Sequence, residues 1–384
     1  MNDAILHLYF INSIFLVWSP PTTREEILVR HLRFAVGEQP RWPSWPVRWQ
    51  LVAALMIAAL LPGAIVAQVP SKRDAKGPTM HCSAAETLRR PWIDEAGSLA
   101  LPPSLDWPNG VAFDGQGRLL VGAITAPLVA RFEAGRWRIM DIAAPGIFSV
   151  TSLTHDSARN LVWGTSPAFL EADADQQHGL YALDDERLQV VRFLRLPDDG
   201  FANDTEIAPD GRLLVTDSVN GRVLAYDWMR DEFATLVEDE RLRPLSRVGA
   251  AGVTVDQQGR IYVTNFETGE VLVLDEDVLR AVELPRTLEN PDGLVLVEDG
   301  ALLVAEGAVL SGDGRLLRIA DPAEPGQRAI EVLRGRLESP VNLTVGPDHT
   351  VYVTESRIRR KIGPNPTDVK PDRFRVVVVD PHAG

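Results

Sequence analysis

The stretch AAGVTVDQQGRIYVTNF, residues 250–266, places an apolar alternating run on each side of a polar turn that ends in Gly259-Arg260. Successive strand side chains point to opposite faces, so a period of two on both sides of a tight turn reads as a β-hairpin and not as a helix. The phrase recurs. PNGVAFDGQGRLLVGAI (108–124), ANDTEIAPDGRLLVTDS (202–218), PDGLVLVEDGALLVAEG (291–307) and PVNLTVGPDHTVYVTES (340–356) repeat it, and VTSLTHDSARNLVWGTS (150–166) is a looser copy. The aligned positions Asn109, Thr151, Asn203, Ala251, Asp292 and Val341 lie 42, 52, 48, 41 and 49 residues apart, the span of one four-stranded propeller blade.

Third strands follow the hairpins in RVLAYD (222–227), EVLVLD (270–275), RLLRIA (315–320) and FRVVVVD (374–380), and no helix-length amphipathic stretch competes with them. The expected fold is all-β: a six-bladed β-propeller, with the loops entering the inner strands gathered around a central channel. Few residues remain after Asp380, so the outer strand of the last blade is expected from the chain before the first blade, within 84–105.

Composition narrows the rest. The chain has 384 residues, of which 45% are hydrophobic and 24% charged, enough to bury a large core. Its net charge of −14, from 39 Lys+Arg against 53 Asp+Glu, repels a phosphate backbone, and nucleic acid is excluded as a partner. The single cysteine, Cys82, excludes an internal disulfide and a thiolate zinc site.

Residues 51–67, LVAALMIAALLPGAIVA, are uncharged, follow Arg41 and Arg48, and end in small residues. This is a signal-peptide pattern, short for a spanning helix of about 20 residues. The expected division is an N-terminal extension and signal peptide over 1–67, a linker and possible ring-closing strand over 68–99, and the propeller over 100–384. The protein is accordingly expected to be exported, periplasmic or secreted, and to meet a membrane only through an uncleaved N-terminal segment.

The phrases 201–227, 250–275 and ENPDGLVLVEDGALLVAEG (289–307) resemble the family of senescence marker protein, gluconolactonase and luciferin-regenerating enzyme. VTDSVNGRVLAYD (215–227) also resembles NHL repeats. The resemblance implies a channel cation, usually calcium, held by Glu, Asn and Asp from inner-strand starts, and an enzyme that opens lactones. It implies that Asp292 of Pro291-Asp292-Gly293 is the acidic ligand and that Asn203-Asp204 contacts substrate or cation. Asn109 stands where that family has Glu, and Ala251-Gly252 where it has another Asn. Asn342 is a substitute ligand from the neighbouring blade.

Independently of the family, Asn109, Asn203, Asp204, Asp292 and Asn342 at inner-strand starts gather the carboxylate and amide oxygens that hard cations prefer. Asn and Asp at strand starts also cap turns locally, so a purely structural role stays open. Asp114, Asp210, Asp256 and Asp313 sit beside glycines in hairpin turns and are expected to be structural. EADADQQHG (171–179) and GAVLSGDG (307–314) are candidate rim loops, and Arg357, Arg359, Arg360 and Lys361 form a basic run. No His-Glu-x-x-His or Gly-x-Ser-x-Gly motif is present.

The expected function is a divalent-cation-dependent hydrolase of a lactone, a sugar lactone or related small ester. Asp204 and Asp292 are its candidate catalytic carboxylates, and Asn109 and Asn203 its candidate substrate contacts. Asp292, Asn203, Asn109 and Asn342 are the candidate ligands of Ca2+, or of Zn2+, Mg2+ or Mn2+. The alternative is a non-catalytic NHL-like propeller that binds a protein or glycan.

Overall fold

The structure, a computed structural model, describes residues 6–10, 14–18, 92–167, 179–367 and 369–382. The chain divides into two compact units, Met1–Cys82 and Ser83–Gly384. In the first, Leu6–Phe10 and Ile14–Trp18 pair as an antiparallel hairpin. The apolar run 51–67 and its cleavage position lie outside the described residues, as do 171–178 of the first candidate rim loop.

The second unit is a six-bladed β-propeller of six four-stranded antiparallel sheets. Blade 1 runs Pro108–Phe113, Leu119–Ala123, Leu128–Glu133, Arg136–Asp141. Blade 2 runs Ser152–Asp156, Leu161–Ser166, Gly179–Asp184, Val190–Leu194. Blade 3 runs Ala202–Ile207, Leu213–Asp217, Arg222–Asp227, Glu232–Glu238, and blade 4 Ala250–Val255, Ile261–Asn265, Val271–Asp275, Val278–Ala281. Blade 5 runs Pro291–Leu296, Leu302–Glu306, Gly314–Ile319, Glu331–Leu337. Blade 6 takes Pro340–Val345, Val351–Glu355 and Arg375–Val379, and its outer strand is Ser98–Ala100, paired in antiparallel register with Arg375–Val377. The inner strands neighbour one another in cyclic order, and apolar clusters fill the seams between blades.

The repeated turn has a repeated chemistry. Asp256 Oδ1 accepts the backbone N–H groups of Gln258 and Arg260, Asp256 Oδ2 pairs with Arg260 Nε at 2.6 Å, and Gly259 takes the left-handed φ of 85°. Asp114 and Arg118 do the same three blades earlier, in blade 1. These aspartates close hairpins, as expected of them.

The inner strands carry a feature absent from simple alternation. Pairing skips from Pro108 to Val111, Ala202 to Thr205, Ala250 to Val253, Pro291 to Leu294 and Pro340 to Leu343, while the partner strand advances by two. Each skip is a β-bulge, two residues opposite one, and bulges re-aim side chains. The bulged pairs are Asn109-Gly110, Asn203-Asp204, Ala251-Gly252, Asp292-Gly293 and Val341-Asn342.

A bulge leaves ladder groups unpaired, and threonine hydroxyls satisfy them. Opposite the bulges, Thr216, Thr264 and Thr354 each accept the N–H of the second bulge residue, at 3.0 Å from Asp204, 2.9 Å from Gly252 and 3.2 Å from Asn342. The same hydroxyls donate to the first bulge carbonyl of the next blade: Thr216 to Ala251, Thr264 to Asp292 at 2.7 Å, and Thr354 to Asn109 at 2.7 Å. In blade 2, Thr165 donates to Asn203 O at 2.7 Å. Close approach makes this reach possible, since a Cβ on Gly252 would lie 2.4 Å from Asp292 O.

Thr264→Val keeps the shape but removes both bonds, leaving the Asp292 carbonyl and the Gly252 N–H without this partner. The expected loss is about 1–3 kcal/mol of unfolding free energy, measured by urea unfolding; a change within error would show that the hydroxyl is dispensable.

Candidate functional site at the channel mouth

The bulges bring both residues of a pair to the channel, at different depths. Asn109, Asn203 and Asp292, the first residues of three bulges, meet with Thr151 at one opening, around a small cavity of about 40 Å³. Ala251 and Val341, the corresponding residues of blades 4 and 6, are buried and offer no side-chain oxygen. Asp204 and Asn342, second residues of their bulges, instead line a deeper cavity of about 230 Å³ with Thr154, His155, Thr205 and Glu206.

The five sequence candidates therefore separate into two groups. Asn203 Nδ2 donates to Ser218 Oγ at 3.0 Å, which fixes its amide at the mouth. Asn342 Nδ2 reaches from blade 6 to Thr151 O at 3.1 Å, and its Oδ1 accepts from its own neighbour Leu343. Asp204 Oδ2 accepts the Val253 N–H at 3.0 Å, and the side chains of Ser152 and Asn342 hydrogen-bond to it.

One residue along from Thr216, Thr264 and Thr354, and from Ala305 at the same place in blade 5, a polar side chain holds the loops around the mouth. Asp217 accepts the Phe201 N–H at 2.9 Å and pairs with Arg222. Glu306 accepts the Glu289 N–H at 2.8 Å and pairs with Arg286; Glu355 accepts the Glu338 N–H at 2.8 Å and pairs with Arg375. Asn265 Nδ2 donates to the carbonyls of Arg241 and Arg243. The basic run forms a one-turn helix, Arg359–Ile362, with Arg360 bound to Glu338 and Lys361 over the Trp107 ring.

Three carboxyl groups share this channel. Burial raises the Asp292 pKa to about 8, with the charge of Asp204 adding to the rise. Burial lifts Glu206 to about 7, against a hydrogen bond from the Ile207 N–H and with Asp204 again adding. Burial also raises Asp204, opposed by the hydrogen bonds from Ser152, Val253, Thr205 and Asn342. Glu206 follows Asp204 by two, the spacing that returns a strand to the same face, so that period was its signal in sequence. Thr151 stood in the aligned column of Asn109 and Asn203, which was its own.

Asp292, Asn109, Asn203 and Thr151 supply one carboxylate, two amides and a hydroxyl. Hard cations take six to eight oxygens, so this set fits a divalent cation that keeps several waters. Among the described residues no group of three or more His, Cys, Asp and Glu forms a metal cluster.

Residues 104–290 match the family described as the SMP-30/gluconolactonase/LRE-like region. That stretch belongs to the SMP-30/gluconolactonase/LRE-like family. No curated protein matches the chain. Among solved structures, virginiamycin B lyase from Staphylococcus aureus superposes with a TM-score of 0.50 at 16% identity, over 67% of this chain and 80% of that one. The putative glucose dehydrogenase of Thermus thermophilus gives 0.51 at 16%, over 73% and 99%. A protein of unknown function from Bacteroides thetaiotaomicron gives 0.54 at 12%, over 74% and 73%. These likenesses establish the propeller; the family match makes it gluconolactonase-like.

An acid whose folded pKa exceeds its unfolded value holds its proton while the unfolded chain releases it, so stability falls as pH rises from about 4 toward 8. Asp292→Asn is expected to flatten the upper part of that decline and to raise the melting temperature at pH 8 relative to the parent, by calorimetry in chelator. Parallel pH profiles for parent and variant would place the Asp292 pKa in its ordinary range.

Proposed function

We propose that this gluconolactonase-like propeller hydrolyses a lactone at the mouth where Asn109, Asn203 and Asp292 meet. That convergence on one opening, from three separate blades, is the observation that carries the reading. A carboxyl poised near neutrality suits proton transfer, because general catalysis is most efficient when the pKa lies near the working pH. Asp292 takes the proton of a water as its oxygen adds to the lactone carbonyl. The proton then passes to the ring oxygen as the C–O bond breaks, leaving a hydroxy acid.

Asp204 acts as a positioning residue. Its charge raises Asp292 from inside the channel, and Ser152, Val253 and Asn342 fix it there. Asn109 and Asn203 orient the substrate ester through their amides. When bound by Asp292, Asn203 and Asn109, a divalent cation such as calcium supplies Lewis acidity that polarises a carbonyl and stabilises an oxyanion.

One feature favours a different reading. Ala251 puts a buried methyl at an aligned channel position, which thins the ligand ring and suits a propeller that binds a protein or glycan without chemistry.

Calcium at about 100 times its dissociation constant should stabilise the parent by roughly 2.7 kcal/mol. Because the cation must displace the Asp292 proton, the gain at one fixed calcium concentration should grow from pH 6 to pH 9. Asp292→Ala should abolish the gain and lower lactone turnover by orders of magnitude. Asp256→Ala, in a hairpin turn, should lower stability alone. Full turnover in Asp292→Ala, or neither a cation effect nor any lactone turned over in the parent, would leave the binding reading in its place.

A further inference from the structure

The walls of the mouth differ in chemistry from its floor. Ile124, Phe201, Val248, Phe266, Ile358 and Ile362 surround the opening above Asn109, Thr151, Asn203 and Asp292. These wall residues follow second strands or precede inner strands, so every one of them is set by the same loops that frame the channel.

The walls are also held in place. Asp217 ties the Phe201 backbone, and Phe266 donates its N–H to Gly249 O at 3.0 Å and accepts Asn290 Nδ2 at 3.2 Å. Ile358 precedes and Ile362 ends the one-turn helix that Arg360 anchors on Glu338. None of the six wall side chains carries a hydrogen-bonding group.

Resting on the hydrolase reading of this same site, we infer that the substrate is a lactone bearing an apolar, alkyl or aryl substituent, and not a sugar lactone. A sugar lactone brings several hydroxyls, and each one buried against Ile, Val or Phe without a partner costs about 1–3 kcal/mol. The floor cannot serve them all, since Thr151 Oγ1 already pairs with Thr165 Oγ1 at 2.7 Å and Asn203 Nδ2 with Ser218. An alkyl substituent loses nothing to the walls and gains with each methylene buried. The polar floor is then free for the ester group alone.

The test uses γ-alkyl-γ-lactams, ring-matched and resistant to hydrolysis, titrated calorimetrically into the full chain from methyl to octyl. Affinity should tighten by up to about fourfold per methylene, from roughly 0.8 kcal/mol per buried CH2. Turnover of the matching γ-lactones should follow the same order and exceed that of D-glucono-δ-lactone. Phe266→Ser and Ile362→Ser should each weaken the octyl lactam roughly fivefold, the equivalent of about 40 Å² of apolar contact, with little change for the methyl lactam. Affinity independent of chain length, or preference for the glucono-lactone, overturns the inference even if lactones are hydrolysed. Chain-length-dependent lactam binding with no lactone turned over sustains the apolar-ligand assignment and refutes the hydrolase reading instead.

Discussion

A single hydroxyl on the second strand of a blade holds the inner surface of this propeller together. Thr216, Thr264 and Thr354 each accept an N–H from their own bulged strand and donate to a carbonyl of the next blade. Without that oxygen a bulge at the channel wall would leave buried backbone groups unpaired, at about 1–3 kcal/mol each. With it, the strand can spend two residues on the channel in place of one. The candidate site exists because of that surplus.

Two bulges lack that threonine, with Ala305 opposite the one in blade 5 and Gly122 opposite the one in blade 1, and blade 1 shows the constraint at work. Blade 1 has Gly122 opposite its bulge, where a Cβ would lie 2.0 Å from Val150 Cγ1, so no threonine fits there. The carbonyl left for a neighbour to satisfy is that of Thr151, and Asn342 supplies the donor from blade 6. An amide read from sequence as a cation ligand is thus occupied in closing the ring. Its commitment also brings it beside Asp204, whose carboxylate it helps to hold.

Much of the fold was legible because a 41-to-52-residue period and strict alternation are properties of residues in order. The need for a strand from before the first blade followed from counting, and Ser98–Ala100 fills it. The bulges were not legible, since each spans only two residues and alternation on either side hides the change of phase. Yet their signature lay in the repeats: VTDS, VTNF and VTES place a threonine and then an acid or amide at the end of the second strand. The first side chain serves the bulge and the second straps the mouth loops. Asp292, Asn203 and Asn109 could be named from sequence because the aligned column is also the structural one, whereas Asn203 and Asp204 look equivalent there and part company only when the bulge assigns them to different cavities.

The depth at which each carboxyl sits then decides what it can do. Asp204 is surrounded by donors from three other blades, Ser152, Val253 and Asn342, so its charge has a structural environment. Asp292, at the mouth, has burial and the Asp204 charge acting on it in the same direction, and it rises to about 8. In the proposed hydrolysis the inner carboxylate thereby makes the outer one a proton acceptor that works near neutrality, while apolar side chains around the opening strengthen the electrostatic interaction by keeping the local dielectric low. The walls and the acid are one design problem. A polar rim would admit water, lower the desolvation that lifts Asp292, and return it toward an ordinary aspartate with little capacity to accept a proton at pH 7.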